Sequence, residues 1–185
     1  QFLKFWLSIK ASLFESLLMK KNTDLGQHFM VDEALLARVA NLAAITPEDV
    51  VLEVGSGPGA LTQKLIERGP AKIIAVEKDK RFKIKHPLVQ HHTKNILPLI
   101  EKLHFDKVVA NIPYHISEPL MIKLLLTKPN RAVLVVGENF ARVLHGKTML
   151  GLITQEVYEI ETKDIIAPIA FSPPPKVVSA LLTFR

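Results

Sequence analysis

Val51-Leu-Glu-Val-Gly55-Ser-Gly57-Pro-Gly59-Ala-Leu61 is the stretch on which the fold turns. An apolar β-branched run over 50–54 enters three glycines at alternate positions, and a helical pattern over 60–68 follows directly. Glycine lets the chain turn sharply and lets a ligand approach the backbone with no Cβ in the way. About twenty residues on, Glu77 ends the next apolar run, where a carboxylate can accept from both hydroxyls of a ribose. The spacing is not that of a dinucleotide fingerprint. G-x-G-x-G lacks the closing x-x-G, and Pro58 removes a backbone N–H that a pyrophosphate would use. The acidic Glu53 also suits a cationic ligand better than a phosphate. Together these features select a nucleoside cofactor that carries positive charge, S-adenosylmethionine rather than NAD.

On either side of this turn, strands and helices alternate. Asp32 is suited to cap a helix over 33–43 whose buried side is Leu35, Leu36, Val39 and Leu42. Strands are predicted over 73–76, 108–110 and 132–136, and a helix over 117–126. This alternation predicts an α/β fold with a mostly parallel sheet and helices on both faces. The last element, 177–184, follows a proline cluster that leaves no room for a crossover helix, so it is expected to join the sheet antiparallel. One connection fits poorly. Between Glu77 and the candidate strand 88–91 lie about ten residues that include Pro87, whereas a parallel crossover usually takes a dozen or more and a helix.

A chain of 185 residues can bury one full core, and 48% hydrophobic with 23% charged residues is ordinary for a folded protein. The absence of cysteine excludes a disulfide scaffold, a cysteine-ligated zinc site and thiol catalysis, and it suits a reducing cytoplasm. A net charge of +6 favours a polyanionic partner. Residues 1–19 are apolar but broken by Lys4, Lys10 and Glu15, which argues against a membrane span. Phe2, Phe5, Trp6, Ile9, Leu13 and Leu17 recur at helical spacing. The expected organisation is an amphipathic extension over 1–24 ahead of one catalytic unit over 25–185, acting as a monomer.

A second motif carries the chemistry. A strand over 106–110 runs into Asn111-Ile-Pro-Tyr114 at its C-terminal end, where open α/β sheets place their ligands. An amine that attacks a sulfonium methyl must present its lone pair, so its two hydrogens need acceptors. The Asn111 side-chain oxygen can take one and the Ile112 carbonyl the other. Pro113 fixes the turn, and Tyr114 offers a flat face to a purine. No strong base is needed; the task is to hold the amine in line with methyl and sulfur.

With both motifs in register, the chain resembles one family, the dimethyladenosine transferases of small-subunit ribosomal RNA, with the erythromycin-resistance methylases as relatives. Leu25-Gly-Gln-His-Phe-Met30, Asn111-Ile-Pro-Tyr-His-Ile-Ser-Glu-Pro119 and Phe171-Ser-Pro-Pro-Pro-Lys-Val-Val-Ser179 carry the resemblance, which covers 25–185. It implies a seven-stranded, Rossmann-like methyltransferase sheet and methyl transfer from S-adenosylmethionine to the N6 amine of one or two adjacent adenines. It places Gln27, His28, Met30, Glu53, Gly55, Gly57, Glu77, Asn95 and Asn111 at the cofactor. Asn111, Ile112, Pro113 and Tyr114 would act on the target amine, and Phe171 would help Tyr114 hold a flipped base. Flipping is expected because a stacked N6 cannot reach a buried methyl donor.

The sequence departs from the family pattern in three places. Where the family has Gly-Asp-x-Leu, this chain has Lys94-Asn-Ile-Leu97; Asn95 can still accept through its amide oxygen, so weakened cofactor binding is expected. The helix before it is short or missing. The small helical domain that follows in family members is expected to be absent after Arg185. Two other readings compete: a ribosome-assembly factor that keeps the fold without catalysis, and a methylase of DNA adenine or of a protein glutamine. His91 and His92 are adjacent on a strand and so point to opposite faces, which argues against a metal site. Lys78, Lys80, Arg81, Lys83 and Lys85 form a run that is either a solvated loop or a phosphate-contacting strip.

Overall fold

The computed structural model describes residues 27–185, so the predicted N-terminal extension lies outside the described residues. In chain order the elements are β1 (Phe29–Met30), α1 (Glu33–Leu42), β2 (Val50–Val54), α2 (Ala60–Ile66), β3 (Lys72–Glu77), β4 (Val89–Thr93) and β5 (Lys107–Asn111). They continue with α3 (Ser117–Thr127), β6 (Arg131–Gly137), α4 (Glu138–His145), α5 (Met149–Val157), β7 (Ile160–Ile166), β8 (Phe171–Ser172) and β9 (Ser179–Phe184). Short 3-10 turns interrupt the connections. The Asp32 cap is formed: its carboxylate accepts from the Leu35 N–H over 2.9 Å.

Seven strands form one sheet in the order β4-β3-β2-β5-β6-β9-β7. Neighbours from β4 to β6 pair parallel, and β9 pairs antiparallel with both β6 and β7. The antiparallel final strand is thus as the proline cluster leads one to expect. Period-two alternation sends the strand residues to two covered faces. Leu52, Val54, Val108, Ala110, Leu134 and Leu182 pack on one side with Leu120, Met121 and Leu124 of α3. Val51, Ile73, Ala75, Val109, Val133 and Leu181 pack on the other with Leu36 and Val39 of α1 and Leu65 of α2. Burial on both faces explains why these strands read as continuous apolar runs.

Two regions are not legible in the sequence pattern. The connection from Glu77 to Val89 contains no helix, yet β3 and β4 pair parallel from Ile73↔Val89 to Glu77↔Thr93. It is therefore a tight, irregular crossover. The second is the segment α4–α5–β7, whose strand, Ile-Glu-Thr-Lys-Asp-Ile-Ile, is half exposed and shifts register between Thr162 and Asp164. The adjacent charges Lys163 and Asp164 lie at the bulge and break the period-two pattern.

A smaller pairing positions the site. Met30 lies opposite Phe171 and Phe29 opposite Ser172 in a two-stranded antiparallel sheet, β1 with β8. It brings the first and last motifs of the sequence together, 141 residues apart for Met30 and Phe171, beside the C-terminal ends of β2 and β5.

Candidate active site

The chain runs outward from β2 through β3 to β4, then returns to β5 on the other side of β2. The strand order therefore reverses between β2 and β5, the place where open α/β sheets open a crevice at their carboxyl ends. A cleft lies there. It is lined from one end to the other by Lys94, Asn95 and Ile96 after β4, Glu77 and Lys78 at β3, Gly55 at β2, and the tetrad Asn111–Tyr114 after β5. Gln27, His28 and Phe29 close one wall.

The glycine turn has the backbone its sequence requires. Gly55 and Gly57 have φ of +75° and +50°, values an L side chain rarely adopts. A Cβ on Gly57 would stand 2.8 Å from Cε1 of Phe29, and one on Gly55 would fill space 3.5 Å from the Asn111 carbonyl oxygen. The turn is held by Glu77. Its Oε2 accepts from the Gly57 N–H and its Oε1 from the Asp79 N–H, both over 2.8 Å. A carboxylate offers about four lone-pair sites, so each oxygen keeps a second one for another donor.

Glu53 is placed differently from the other candidate residues. It is 1% exposed and does not line the cleft. Its Oε2 accepts from the Thr62 hydroxyl over 2.6 Å, and its Oε1 has no partner. Burial in this low-dielectric position pushes its pKa up to about 7; the Thr62 hydrogen bond opposes the shift and the nearby Glu77 adds to it. Glu53 therefore ties β2 to α2, the two elements that flank the glycine turn.

In the tetrad, the Asn111 Nδ2 donates to the His28 carbonyl oxygen over 2.8 Å. A carbonyl can only accept, so this contact fixes the amide with Oδ1 turned away from His28 and without a partner among the described residues. The Ile112 N–H donates to the Val135 carbonyl over 3.0 Å, while the Ile112 carbonyl receives no backbone donor there. Tyr114 is pinned at both ends. Its hydroxyl shares a 2.9 Å hydrogen bond with Ser179, its ring packs against Gly137, and the His28 ring lies nearly parallel 6.0 Å away. His28 is held in turn: its Nδ1 donates to the Pro173 carbonyl over 2.7 Å.

The structure brings Gln27, His28, Gly55, Glu77, Asn95 and Asn111–Tyr114 to one cleft. Met30 and Phe171, which the resemblance sets against cofactor and base, are elsewhere. They are 5% and 3% exposed, face each other across β1 and β8, and line no part of the cleft. In these positions they support the strand pair that carries His28 and Pro173. Gly57 also sits behind the lining, bonded to Glu77. Asn95 lines the cleft, but its amide oxygen already accepts from the Leu97 N–H over 3.1 Å.

Some contributors are missed by sequence reasoning. Asp79 is 7% exposed and binds Arg81 at 2.5 Å and the Gln27 Nε2 at 3.1 Å, tying the first motif to the loop after β3. The Arg81 guanidinium beside it holds its pKa down to about 2. A single carboxylate two residues after Glu77, inside a cationic run, is the signal that could have revealed it. Lys78, Lys80, Lys83 and Lys85 are exposed. Ser179 closes the third motif, but its bond to Tyr114 is made only by the fold, and nothing in the sequence singles out Gly137. His91 and His92 pair with Ala75 and Val76, on opposite faces, and no group of three potential metal ligands occurs among the described residues.

A reversed strand order, a glycine turn tied to the Glu77 carboxylate and an Asn-Ile-Pro-Tyr tetrad at the crevice define a Rossmann-like, class I methyltransferase. Residues 18–185 match the family described as "Ribosomal RNA adenine dimethylase", and the chain belongs to that family. It is 34% identical over 178 residues to the probable ribosomal RNA small subunit methyltransferase A of Methanococcus maripaludis, covering 89% of this chain and 67% of the relative. The chain thus spans about two thirds of the length of the curated relatives it matches. Among solved structures, a dimethyladenosine transferase from Plasmodium falciparum superposes with a TM-score of 0.79 at 26% identity, covering 85% of this chain and 62% of the other. The 23S rRNA methyltransferase ErmE gives 0.75 at 28% identity, covering 85% and 69%.

Proposed function

We propose that residues 25–185 form the catalytic unit of an S-adenosylmethionine-dependent methyltransferase acting on the N6 amine of adenine in small-subunit ribosomal RNA. The observation that carries this is the fixed Asn111 amide. Its NH2 is taken by His28, so its oxygen and the Ile112 carbonyl remain as two acceptors at the end of β5. That pair is what an exocyclic amine needs if its lone pair is to point at an electrophile.

The donor set fits the cofactor. Gly55 leaves open the space a Cβ would fill, and Glu77 retains acceptor capacity for ribose hydroxyls. When bound, the cofactor supplies an electrophilic methyl on sulfonium. Glu77 would hold the ribose, and Gln27, His28 and Gly55 would hold the methionine part. Tyr114, fixed by Ser179, would stack on the target base, for about 1–3 kcal/mol. The amine loses its proton to water once methylated, and no residue needs to act as a strong base.

The basic composition supports an RNA substrate over a protein amide. Among the described residues no helix is long and apolar enough to cross a membrane. We place the protein with ribosomal particles in the cytoplasm, acting as a monomer. The test is mass spectrometry of small-subunit ribosomal RNA from cells lacking the gene. Loss of N6-methylated adenosine supports the reading, and an unchanged modification pattern overturns it.

A further inference from the structure

Resting on the cofactor reading above, the strand order sets how the cofactor lies. Asn111 and Tyr114 after β5 take the reacting end, Gly55 ends β2 and Glu77 ends β3, which leaves Lys94-Asn95-Ile96, after the edge strand β4, to the base. Ile96, 4% exposed, gives that end an apolar wall. Lys78, Lys94 and Asn95, which line the cleft with it, carry donor groups. Lys78 and Lys94 end in ammonium groups. Asn95 is exposed, and its amide oxygen accepts from the Leu97 N–H over 3.1 Å in an Asx turn. Its NH2 group has no partner among the described residues.

We propose that Asn95 makes base recognition permissive in this chain, so that a purine with a carbonyl at position 6 is bound as well as one with an amine. A 6-amine donates two hydrogens and gains nothing from an amide NH2 or an ammonium, whereas a 6-carbonyl accepts from either. Asn95→Asp is the isosteric reversal. The carboxylate keeps one oxygen for the Leu97 N–H and puts the second where the NH2 stands, with Lys78 and Lys94 nearby to keep it ionised. Asn95 is in this sense a specificity residue, set apart from the residues that act on the methyl and the amine.

The experiment is calorimetric titration of the chain with S-adenosyl-L-homocysteine and with S-inosyl-L-homocysteine, its 6-carbonyl counterpart, repeated on Asn95→Asp. The native chain is expected to bind the two with affinities within about fivefold. Asn95→Asp is expected to raise the preference for the adenosyl compound by at least about tenfold, equivalent to about 1.4 kcal/mol. A native preference for the adenosyl compound above fivefold overturns the inference, and so does a ratio that Asn95→Asp leaves unchanged. Binding of neither compound overturns the cofactor reading, and the inference with it.

Discussion

The Asn111 side chain donates to the His28 carbonyl across 2.8 Å, joining two residues 83 positions apart in sequence. His28 is itself tied to Pro173 and lies against Tyr114. One hydrogen bond therefore orients the amide and turns its oxygen away from His28, and the same residue lies against the aromatic ring beside it. Orientation of this kind acts in the transition state, where a misplaced nucleophile costs most.

Asn111→Ala removes that acceptor with little loss of cofactor contact. Turnover should fall by at least about 10²-fold, with affinity for S-adenosylhomocysteine kept within a few-fold. Single-turnover kinetics beside calorimetry separates the two. An equal loss in both would make Asn111 a cofactor residue.

Glu77→Ala should weaken cofactor binding by about 1.5–3 kcal/mol, the range for hydrogen bonds to a charged group. Because Glu77 also accepts from Gly57 and Asp79, part of that loss comes from a loosened turn. Unchanged affinity would place the ribose elsewhere.

The two glycines Gly57 and Gly69 separate strain from crowding. Gly69 has φ of +67° with nothing within 4 Å of a built Cβ, whereas Gly57 at +50° would meet Phe29 at 2.8 Å. Gly69→Ala should cost about 1–2 kcal/mol, the left-handed backbone penalty, and Gly57→Ala about 1–3 kcal/mol more for overpacking. Urea unfolding measures both; equal losses would mean that Phe29 moves aside freely.

Glu53 predicts the pH dependence of folding. Its folded pKa is raised to about 7 from an ordinary 4.5. Between those values the folded chain keeps a proton that the unfolded chain has released. Stability contributed by this group is therefore complete below pH 4.5 and lost as pH rises towards 7, by up to about 3 kcal/mol. Asp79 has the opposite sign and a different window, since its lowered pKa matters only as pH falls from 3.8 towards 2. Unfolding at pH 5 and pH 8 should show the Glu53 slope, and Glu53→Gln should flatten it. The same slope in both proteins would assign it to another group.

Much of this architecture is legible in the sequence for a physical reason. Strands covered on both faces, such as β2 and β6, are apolar except for the buried Glu53 and for Arg131 at the start of β6, and the positive φ of Gly55, Gly57 and Gly59 favours glycine at each. Strand β7 is half exposed and bulged, so its pattern carries no such constraint. The tetrad is legible because its chemistry is local. The strap that orients it is not, because Asn111 with His28, His28 with Pro173 and Tyr114 with Ser179 are contacts made only by the fold. Phe171 shows the converse: its motif is recognisable, but β8 turns its side chain into the core.

On the proposed function, this cleft presents the 6-amine of adenine to a cofactor methyl. The most direct measurement is incubation of the chain with small ribosomal subunits lacking N6-methylated adenosine and S-adenosylmethionine labelled in its methyl group, followed by nucleoside digestion and mass spectrometry. Label is expected in N6-methyladenosine or N6,N6-dimethyladenosine, and it is expected to be lost in Asn111→Ala. Label in any other nucleoside, or label in adenosine that survives Asn111→Ala undiminished, would contradict it.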